Sequence, residues 1–508
     1  YGVMMFQPVS SLKEKTEKKE FLELAGVYTR LVQVFCEKQG ITPESENVQP
    51  GEFLKELQNT GAIESGQDLP VLEEVLGKEW PSFREAVAFV CTHREETEGL
   101  VDRLSGKGRR EWQKREETEK KPSLVDFFCG AGGLSLGFVQ AGFSIKLAND
   151  TEEVCMETYR YNHPEIPTEK TVRGDIRKLV EHLEDYIQEA PDVVAGGPPC
   201  QGFSEANRQR VIDDPRNRLY KYFIKAVEKL APKFVVMENV KGMMKVAHQV
   251  VEDYEALRIV RGDREYTYRA ACQLLNSQDF SVAQSRERLI YIAVRSDVQE
   301  KWGITPESLF EEIRENCQGN PVYCLEDALE EIRPLDAPRI KNQNEVDSET
   351  TGKKIDVNRQ GVYRNPYLRL INGDREIPFL FNHKARYVSD VNYEIYRRLN
   401  PGDDATDEKI ADIMPYAHRN HCFKDKYFKL IPDRPCRTIT AHLKMDCHSH
   451  IHPYQVRSLT PREAARVQSF PDDYLFLGPY LKTYMQIGNA VPPLMAAGIA
   501  KVIKKYTQ

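Results

Sequence analysis

LVDFFCGAGG, residues 124–133, is a short apolar run that ends in a glycine-rich turn. Such a run predicts a buried strand, and the glycines predict a tight turn that leads into a helix. Glycines at this point let backbone amides approach a ligand closely, and the N-terminal end of the following helix attracts negative charge. The stretch therefore predicts the first strand of an α/β sheet, with a ligand site at its carboxyl end.

Further apolar runs repeat this rhythm of strand, loop and helix along the chain. They lie at residues 143–148, 192–195, 234–237 and 289–294. The alternation predicts a largely parallel α/β sheet whose ligands bind at the carboxyl ends of the strands. Helical periodicity returns at 460–468 and 493–504.

Composition sets limits on the class of protein. The chain has 508 residues and a formal net charge of -7, so any nucleic-acid site must be a local basic surface. No apolar run of about 18 residues occurs, so we expect no membrane association. Eleven cysteines without regular spacing favour reduced thiols. We therefore expect a cytoplasmic protein.

The pattern divides the chain into four parts. Residues 1–121 predict a helical N-terminal domain that ends in a charged linker, and 122–295 predict the main sheet domain. The rhythm is lost over 296–456, which predicts an inserted smaller domain, and 457–508 return to the sheet domain. Within the insert, residues 337–456 carry 20 lysines and arginines against 16 acidic residues, which allows a local basic face.

Two carboxylates follow strand-like positions. Asp150 lies 20 residues after Gly130, where a carboxylate is placed to accept hydrogen bonds from ribose hydroxyls. Asp175 is placed to accept from an adenine amino group. Because Ser135 stands where a dinucleotide fingerprint has its third glycine, hydride transfer is disfavoured. Ordinary turn acids remain the alternative for both positions.

Cys200 is the strongest candidate for a nucleophile. Two prolines, Pro198 and Pro199, precede it directly after a strand and fix the backbone that presents the thiol. A buried structural cysteine needs no such frame, and a thiol is the best side-chain nucleophile available. A packing cysteine in a turn is the alternative.

Charged side chains also mark the fourth and fifth strands. Glu238 emerges at the end of the fourth strand, near Cys200 if neighbouring strands end at the same edge. Arg286 and Arg288 are two residues apart on a strand-like segment and are expected to face the same side, as a grip on an anion or a carbonyl requires. Structural roles for these three groups stay open.

Histidine and cysteine are concentrated late in the insert, which raises the question of zinc. The residues are His418, His421, His442, His448, His450, His452, Cys422, Cys436 and Cys447. Since no pair of cysteines has the two-residue spacing of a zinc site, we expect no metal here.

Six blocks, in this order along the chain, resemble the cytosine-5 DNA methyltransferases. They are DFFCGAGGLSLGF (126–138), GGPPCQGFS (196–204), MENV (237–240), QSRERL (284–289), RSLTPREAARVQSFP (457–471) and QIGNAVPP (486–493). The resemblance covers about 124–504 and implies a Rossmann-like, class I S-adenosylmethionine-dependent methyltransferase fold with an inserted target-recognition domain. It also implies a loop over about 201–217 that closes on DNA.

The resemblance assigns roles to individual residues. Cys200 is implied to be the nucleophile, and Glu238 and Arg288 are implied to contact the target base. We assign Arg286 to the catalytic set with these three. The residues implied to bind S-adenosylmethionine are Phe128, Gly130, Gly132, Gly133, Leu134, Asp150, Thr151, Asp175, Ile176, Pro198, Asn489 and Val491. Two departures are Thr151, where many members have an aromatic, and Ser281-Val282-Ala283 in place of Gly-Val-Pro.

The implied activity is methylation of C5 of a flipped-out cytosine in a specific duplex DNA sequence. Arginines of the insert are expected to contact phosphates, namely Arg364, Arg369, Arg386, Arg397, Arg398, Arg434 and Arg437. We expect a monomer of bacterial type, with a cognate restriction endonuclease as a further partner. The alternatives are a tRNA methyltransferase, whose Cys-Phe-Thr signature is missing because Lys424 follows Cys422-Phe423, and a catalytically silent DNA-binding relative.

Overall fold

The computed structural model describes residues 4–43, 47–199, 217–415, 418 and 426–508. The strands are β1 Ser123–Phe127, β2 Ser144–Asp150, β3 Thr171–Arg173, β4 Val193–Gly196, β5 Phe234–Val240, β6 Ile259–Arg261, β7 Arg264–Tyr266, β8 Tyr268–Asn276, β9 Glu287–Arg295, β10 Gly352–Val357 and β11 Phe379–Lys384. The first helices are α1 Lys15–Gln39, α2 Pro50–Thr60, α3 Leu69–Leu76, α4 Trp80–Thr92, α5 Gly106–Thr118, α6 Gly133–Gln140, α7 Glu153–Asn162, α8 Ile176–Leu179 and α9 Arg218–Leu230. The remaining helices are α10 Ala247–Glu255, α11 Ser296–Trp302, α12 Pro306–Cys317, α13 Leu325–Leu329, α14 Pro366–Asn372, α15 Asp390–Arg398, α16 Pro461–Val467, α17 Tyr480–Asn489 and α18 Pro493–Lys504.

The main sheet has the strand order β3-β2-β1-β4-β5-β9-β8. Strands β3, β2, β1, β4 and β5 are parallel, and β9 is antiparallel to both β5 and β8. The prediction of a largely parallel α/β sheet is confirmed. The sequence pattern missed β8, an edge strand whose residues are mostly half-buried and which therefore lacks a continuous apolar run.

Helices cover both faces of this sheet, and alternate strand residues point to each. In β1, Leu124 belongs to the apolar cluster that contains α6, α12 and α18, whereas Val125 and Phe127 belong to the cluster with α8, α9 and α10. A two-residue alternation between two buried faces is expected of a doubly wound sheet. The carboxyl ends of the parallel strands remain as the edge where ligands bind.

The last helix packs tightly on the helix that follows β1. A Cβ atom at Gly137 of α6 would lie 2.4 Å from the carbonyl oxygen of Pro493 and 2.7 Å from the amide nitrogen of Ala497, both in α18. Only glycine allows these two helices to approach so closely. Residues near the C-terminal end of the chain are thereby fixed beside the glycine-rich turn.

Helices α1 to α4 do not enclose their apolar core by themselves. Phe21, Leu24, Tyr28 and Leu31 recur at helical spacing along α1 and are buried. The same apolar cluster also includes residues from outside the N-terminal part, namely Tyr161, Ile355, Val357, Phe381, Leu475 and Leu477. The N-terminal helices therefore share one core with the main sheet part and with the β10–β11 hairpin.

Helix α5 occupies the charged stretch that follows, and it is more than a solvated linker. Arg109 is fully buried, and its Nη1 donates to the carbonyl oxygens of Arg103 and Arg160. Burial lowers the pKa of this guanidinium to about 10. The helix is thus attached to α7 of the sheet part.

We expect opposite effects from adding one methyl group at two helical glycines. Gly137→Ala should lower the free energy of unfolding by about 1–3 kcal/mol, because the new methyl meets α18 backbone. Gly26→Ala in α1 should raise it by about 0.4–1 kcal/mol, since open space surrounds that position and alanine is the better helix former. Urea unfolding of both variants measures this, and equal effects at the two positions would contradict the close packing of α6 and α18.

Candidate active site

The glycine-rich turn after β1 forms one side of the site. The backbone has positive φ at Phe128 (56°), Gly130 (54°) and Gly132 (105°), and a non-glycine residue in this region is uncommon. A Cβ atom at Gly132 would lie 2.5 Å from Oη of Tyr474, and one at Gly133 would lie 2.3 Å from the carbonyl oxygen of Val491. Around Gly130 there is open space. The turn is therefore packed against the protein on one side and open on the other.

Asp150 holds this turn from the end of β2. Its Oδ2 accepts from the amide of Gly130 at 2.9 Å, and its Oδ1 accepts from the amide of Glu152 at 2.9 Å. Burial raises the pKa of Asp150, opposed by these backbone hydrogen bonds. The carboxylate thus lies beside the glycine-rich turn, as its spacing predicts.

Asp175 caps the N-terminal end of α8 at the next strand end. Its Oδ1 accepts from the amide of Arg177 at 2.8 Å, and its Oδ2 pairs with the guanidinium of the same residue. The hydrogen bond from the Arg177 side chain lowers the pKa of Asp175. The neighbouring Ile176 is buried.

The other residues assigned to the cofactor lie at the same edge with different exposure. Leu134 and Pro198 are buried, Val491 is half-buried, and Thr151 and Asn489 are exposed. The structure brings Gly133 and Val491 into contact. The roles of these residues in binding remain predictions.

Asp126 is a buried acid that the sequence interpretation did not single out. It is fully buried within β1, accepts from Oγ of Ser135 at 2.5 Å, and its Oδ1 has no partner among the described residues. Burial raises the pKa of Asp126 to about 7. An acid inside the apolar run LVDFF was the available signal.

The loop after β4 meets the end of β5. Asn239 Nδ2 donates to the carbonyl oxygen of Pro198 at 3.3 Å, and a Cβ atom at Gly197 would lie 2.9 Å from Oε2 of Glu238. The chain that leads into Cys200 is therefore packed against the Glu238 carboxyl. Cys200 itself, and the expected loop from residue 201, lie outside the described residues.

Glu238 and Arg288 form an ion pair at the centre of the candidate site. Arg288 Nε lies 3.0 Å from Glu238 Oε1, and each side chain is 16% exposed. Burial raises the pKa of Glu238, and the positive charges of Arg288 and Arg286 oppose that rise. A carboxyl group with a raised pKa keeps its proton to higher pH than an ordinary carboxyl group, which suits it to donate a proton.

Arg286 and Arg288 are differently placed, although both lie near Glu238. The guanidinium of Arg286 is buried and donates to the carbonyl oxygens of Ile439 at 2.5 Å and Gly488 at 2.8 Å. Burial lowers the pKa of Arg286 to about 9. These contacts suit a positioning role for Arg286, and its assignment to the catalytic set remains a prediction.

Two glutamines, which the sequence interpretation passed over, complete this network. Gln284 Nε2 donates to Oε1 of Gln468 at 2.5 Å, and Gln284 Oε1 accepts from the amide of Ile439 at 2.8 Å. Gln468 Nε2 donates to the carbonyl oxygen of Ile487 at 2.7 Å. The position of Gln284 inside the block QSRERL was the available signal.

Several arginines of the insert are held by the protein. Arg369 pairs with Asp374, Arg397 with Glu394, and Arg398 with both Glu394 and Asp412. Arg386 donates to the carbonyl oxygens of Leu443, Lys444 and Met445. Such partners reduce the charge available to phosphates. Arg434 has only a long contact of 4.0 Å with Asp433, and its side chain is 67% exposed. The expectation of phosphate contacts remains a prediction.

Three histidines late in the insert have partners within the protein. His448 bonds to Oη of Tyr396, His450 to the carbonyl oxygen of Thr438, and His452 lies 3.4 Å from Glu463. Burial lowers the pKa of His448 to about 4 and that of His450 to about 3. No group of three metal-binding side chains occurs among the residues that the structure describes.

Comparison with known proteins identifies the family. The model of the C-5 cytosine-specific DNA methylases matches residues 123–505. Type II methyltransferase M.DdeI of Desulfomicrobium norvegicum is 31% identical in an alignment of length 404 that covers 76% of this chain and 89% of that protein. Type II methyltransferase M1.HphI of Haemophilus parahaemolyticus is 33% identical in an alignment of length 394 that covers 75% of this chain and 87% of that protein.

Solved structures support the fold. An E. coli prophage protein, assigned as a DNA modification methyltransferase, matches with a TM-score of 0.56 at 24% identity, covering 76% of this chain and 99% of its own. In the described part of the chain, no helix is long and apolar enough to cross a membrane. The Rossmann-like methyltransferase fold that the six blocks imply is confirmed. The chain belongs to the C-5 cytosine-specific DNA methylase family and is, by class, a DNA (cytosine-5-)-methyltransferase.

Proposed function

We propose that this protein methylates C5 of a flipped-out cytosine within a specific sequence of duplex DNA, through a covalent bond between Cys200 and C6. The observation that carries the proposal is the partly buried Glu238–Arg288 ion pair, whose carboxyl packs against the backbone that leads into Cys200. The proposed active site combines a nucleophile, a proton donor and a cation in one small region of the sheet edge. This is the set of groups that the chemistry requires.

The mechanism follows from the weakness of C5 as a nucleophile. Addition of the Cys200 thiolate at C6 gives an enamine whose C5 can accept a methyl group. Protonation of N3 favours that addition, and we assign the proton to Glu238, whose raised pKa keeps it available. Arg288 holds the base carbonyl and balances the charge that develops. Loss of the C5 proton, with water as the base, then allows Cys200 to leave.

The cofactor site fits S-adenosylmethionine. Gly130 borders open space, Asp150 presents a carboxylate beside it, and Asp126 Oδ1 is a buried atom without a partner among the described residues. Asp150 is assigned to the ribose hydroxyls and Asp175 to the adenine amino group. When bound, the cofactor supplies an electrophilic methyl group. The chain itself orients it through the tight turn at Gly132 and Gly133.

The DNA partner requires a second surface. We assign target recognition to residues 296–456 and the closing loop to 201–217, with the remaining sheet residues as the catalytic part. Turning a base out of the duplex costs about a few kcal/mol, which protein contacts with phosphates offset. Two relatives are named type II methyltransferases, which supports a cognate restriction endonuclease as a further partner. The protein is proposed to act as a monomer.

The covalent intermediate can be trapped. Bisulfite sequencing of host DNA after expression identifies the methylated site, and a duplex with 5-fluorocytosine at that site should form a stable adduct, because fluorine cannot leave as a proton. Cys200→Ala should abolish both methylation and the adduct while retaining DNA binding in a mobility assay. The covalent mechanism would be contradicted if the intact protein bound this duplex only noncovalently, or if Cys200→Ala still methylated DNA.

Glu238→Gln should lower kcat about 10²–10⁴-fold, since the amide keeps the shape but cannot transfer the proton. The protonated form of Glu238 is the active one, so wild-type activity should fall as pH rises through its raised pKa, and this limb should vanish in the variant. Glu287→Gln is the matched control, because that side chain is 42% exposed and pairs with Lys241. Similar losses in both variants would contradict the assignment.

Asp150→Asn should raise the KM for S-adenosylmethionine by about tenfold or more and lower kcat much less, since it weakens binding rather than chemistry. Initial rates at saturating DNA measure this. A fall in kcat with unchanged KM would separate Asp150 from cofactor binding.

A further inference from the structure

Glu23 of α1 lies where three parts of the chain meet. Its Oε1 accepts from the amide of Gly478, just before α17, at 2.7 Å and pairs with Nζ of Lys354 on β10 at 2.5 Å. The buried carboxyl of Glu157, on α7, is a neighbour of Glu23, whose negative charge raises the pKa of Glu157. We call these four residues the Glu23 junction. One side chain thus connects the N-terminal helices, the sheet part and the insert.

Charge in the Glu23 junction is balanced only when all three parts are present. Glu157 is 3% exposed, and its Oε1 has no partner among the described residues. Burial and the neighbouring negative charge of Glu23 raise the pKa of Glu157 well above its usual range. Glu157 is therefore protonated more readily than an ordinary glutamate, whereas Lys354 pairs with the Glu23 carboxylate and lowers its pKa. Separation of any one part leaves a buried group without its partner.

Other contacts attach the same helix to the hairpin. Arg30 Nε donates to the carbonyl oxygen of Ile355 at 2.9 Å, and Lys38 pairs with Glu376 just before β11. Ile355, Val357 and Phe381 are buried in the core of α1 to α4. A two-stranded hairpin is marginally stable by itself, so the position of β10–β11 depends on this packing.

We propose that the N-terminal helices are a positioning element for target recognition, which hold the β10–β11 hairpin at a fixed place on the sheet part, with Glu23 as the central positioning residue. This rests on the proposed function, because the hairpin lies in the segment that we assign to target recognition. The match to the family begins at residue 123, so this role belongs to a part of the chain outside that match. Base discrimination is sensitive to displacements of about 0.5 Å, which makes such support consequential.

The test uses the full chain with Glu23→Gln, which keeps an acceptor for Gly478 but removes the charge that pairs with Lys354. Lys354→Met is the second variant, because it leaves the Glu23–Gly478 contact intact. Glu74→Gln, the same change at an exposed position of α3, is the matched control. Hydrogen exchange of residues 352–357 and 379–384 is measured together with methylation of cognate and one-mismatch duplexes.

In both variants we expect exchange in the hairpin to become about tenfold faster, because its support is weakened. The ratio of cognate to mismatched methylation should fall by about fivefold, with kcat on the cognate duplex within about twofold of wild type. Glu74→Gln should change neither. Unchanged exchange overturns the positioning role, and so does faster exchange with unchanged selectivity, which indicates stability alone. If the wild type does not methylate DNA, the proposed function fails, while the exchange data still test the Glu23 junction.

Discussion

The Glu238 carboxyl is confined between a backbone and a guanidinium, and the rest of the site depends on this confinement. Oε2 lies 2.9 Å from where a Cβ atom of Gly197 would be, and Oε1 lies 3.0 Å from Nε of Arg288. Burial by itself disfavours the charged carboxylate, and Arg288 offsets that cost. A side chain at position 197 would displace the Glu238 carboxyl, so the same contact ties the backbone after β4 to the end of β5. The acid, the cation and the backbone at Gly197 are thus positioned by one set of contacts.

The reversed direction of β9 is what brings Arg288 to this acid. In the antiparallel register Val240 lies opposite Arg288, so the start of β9 meets the end of β5. If β9 ran parallel to β5, its first residues would lie at the amino edge of the sheet, about 20 Å away for strands of this length. One antiparallel strand, β9, therefore places the Arg288 cation at the sheet edge where the parallel strands end. Strand β8, next to β9, provides the connection that makes this reversal possible.

The sequence predicted those features that are encoded in local pattern. Apolar runs predicted β1, β4 and β5. Gly197 follows β4, and Glu238 follows the apolar run 234–237 within β5. The sequence did not predict the strand order or the direction of β9, because an apolar run that is buried on both faces has the same pattern in either direction. The sequence also did not predict that Arg286 and Arg288 have different environments. Their spacing is local, whereas the carbonyls that hold Arg286 belong to Ile439 and Gly488, 153 and 202 residues away along the chain.

The blocks that carried the family resemblance divide into chemistry and support, and α16 shows why the two cannot be told apart by sequence. Arg457 pairs with Glu463, and Arg466 with Asp472, with all four side chains fully buried. Removing one partner of such a pair costs about 3–5 kcal/mol, because the other charge is left buried and unpaired. This block acts on the site only indirectly, by holding other residues in position. Gln468, at the end of α16, bonds to Gln284 and to α17, and so holds in place the strand that presents Arg288.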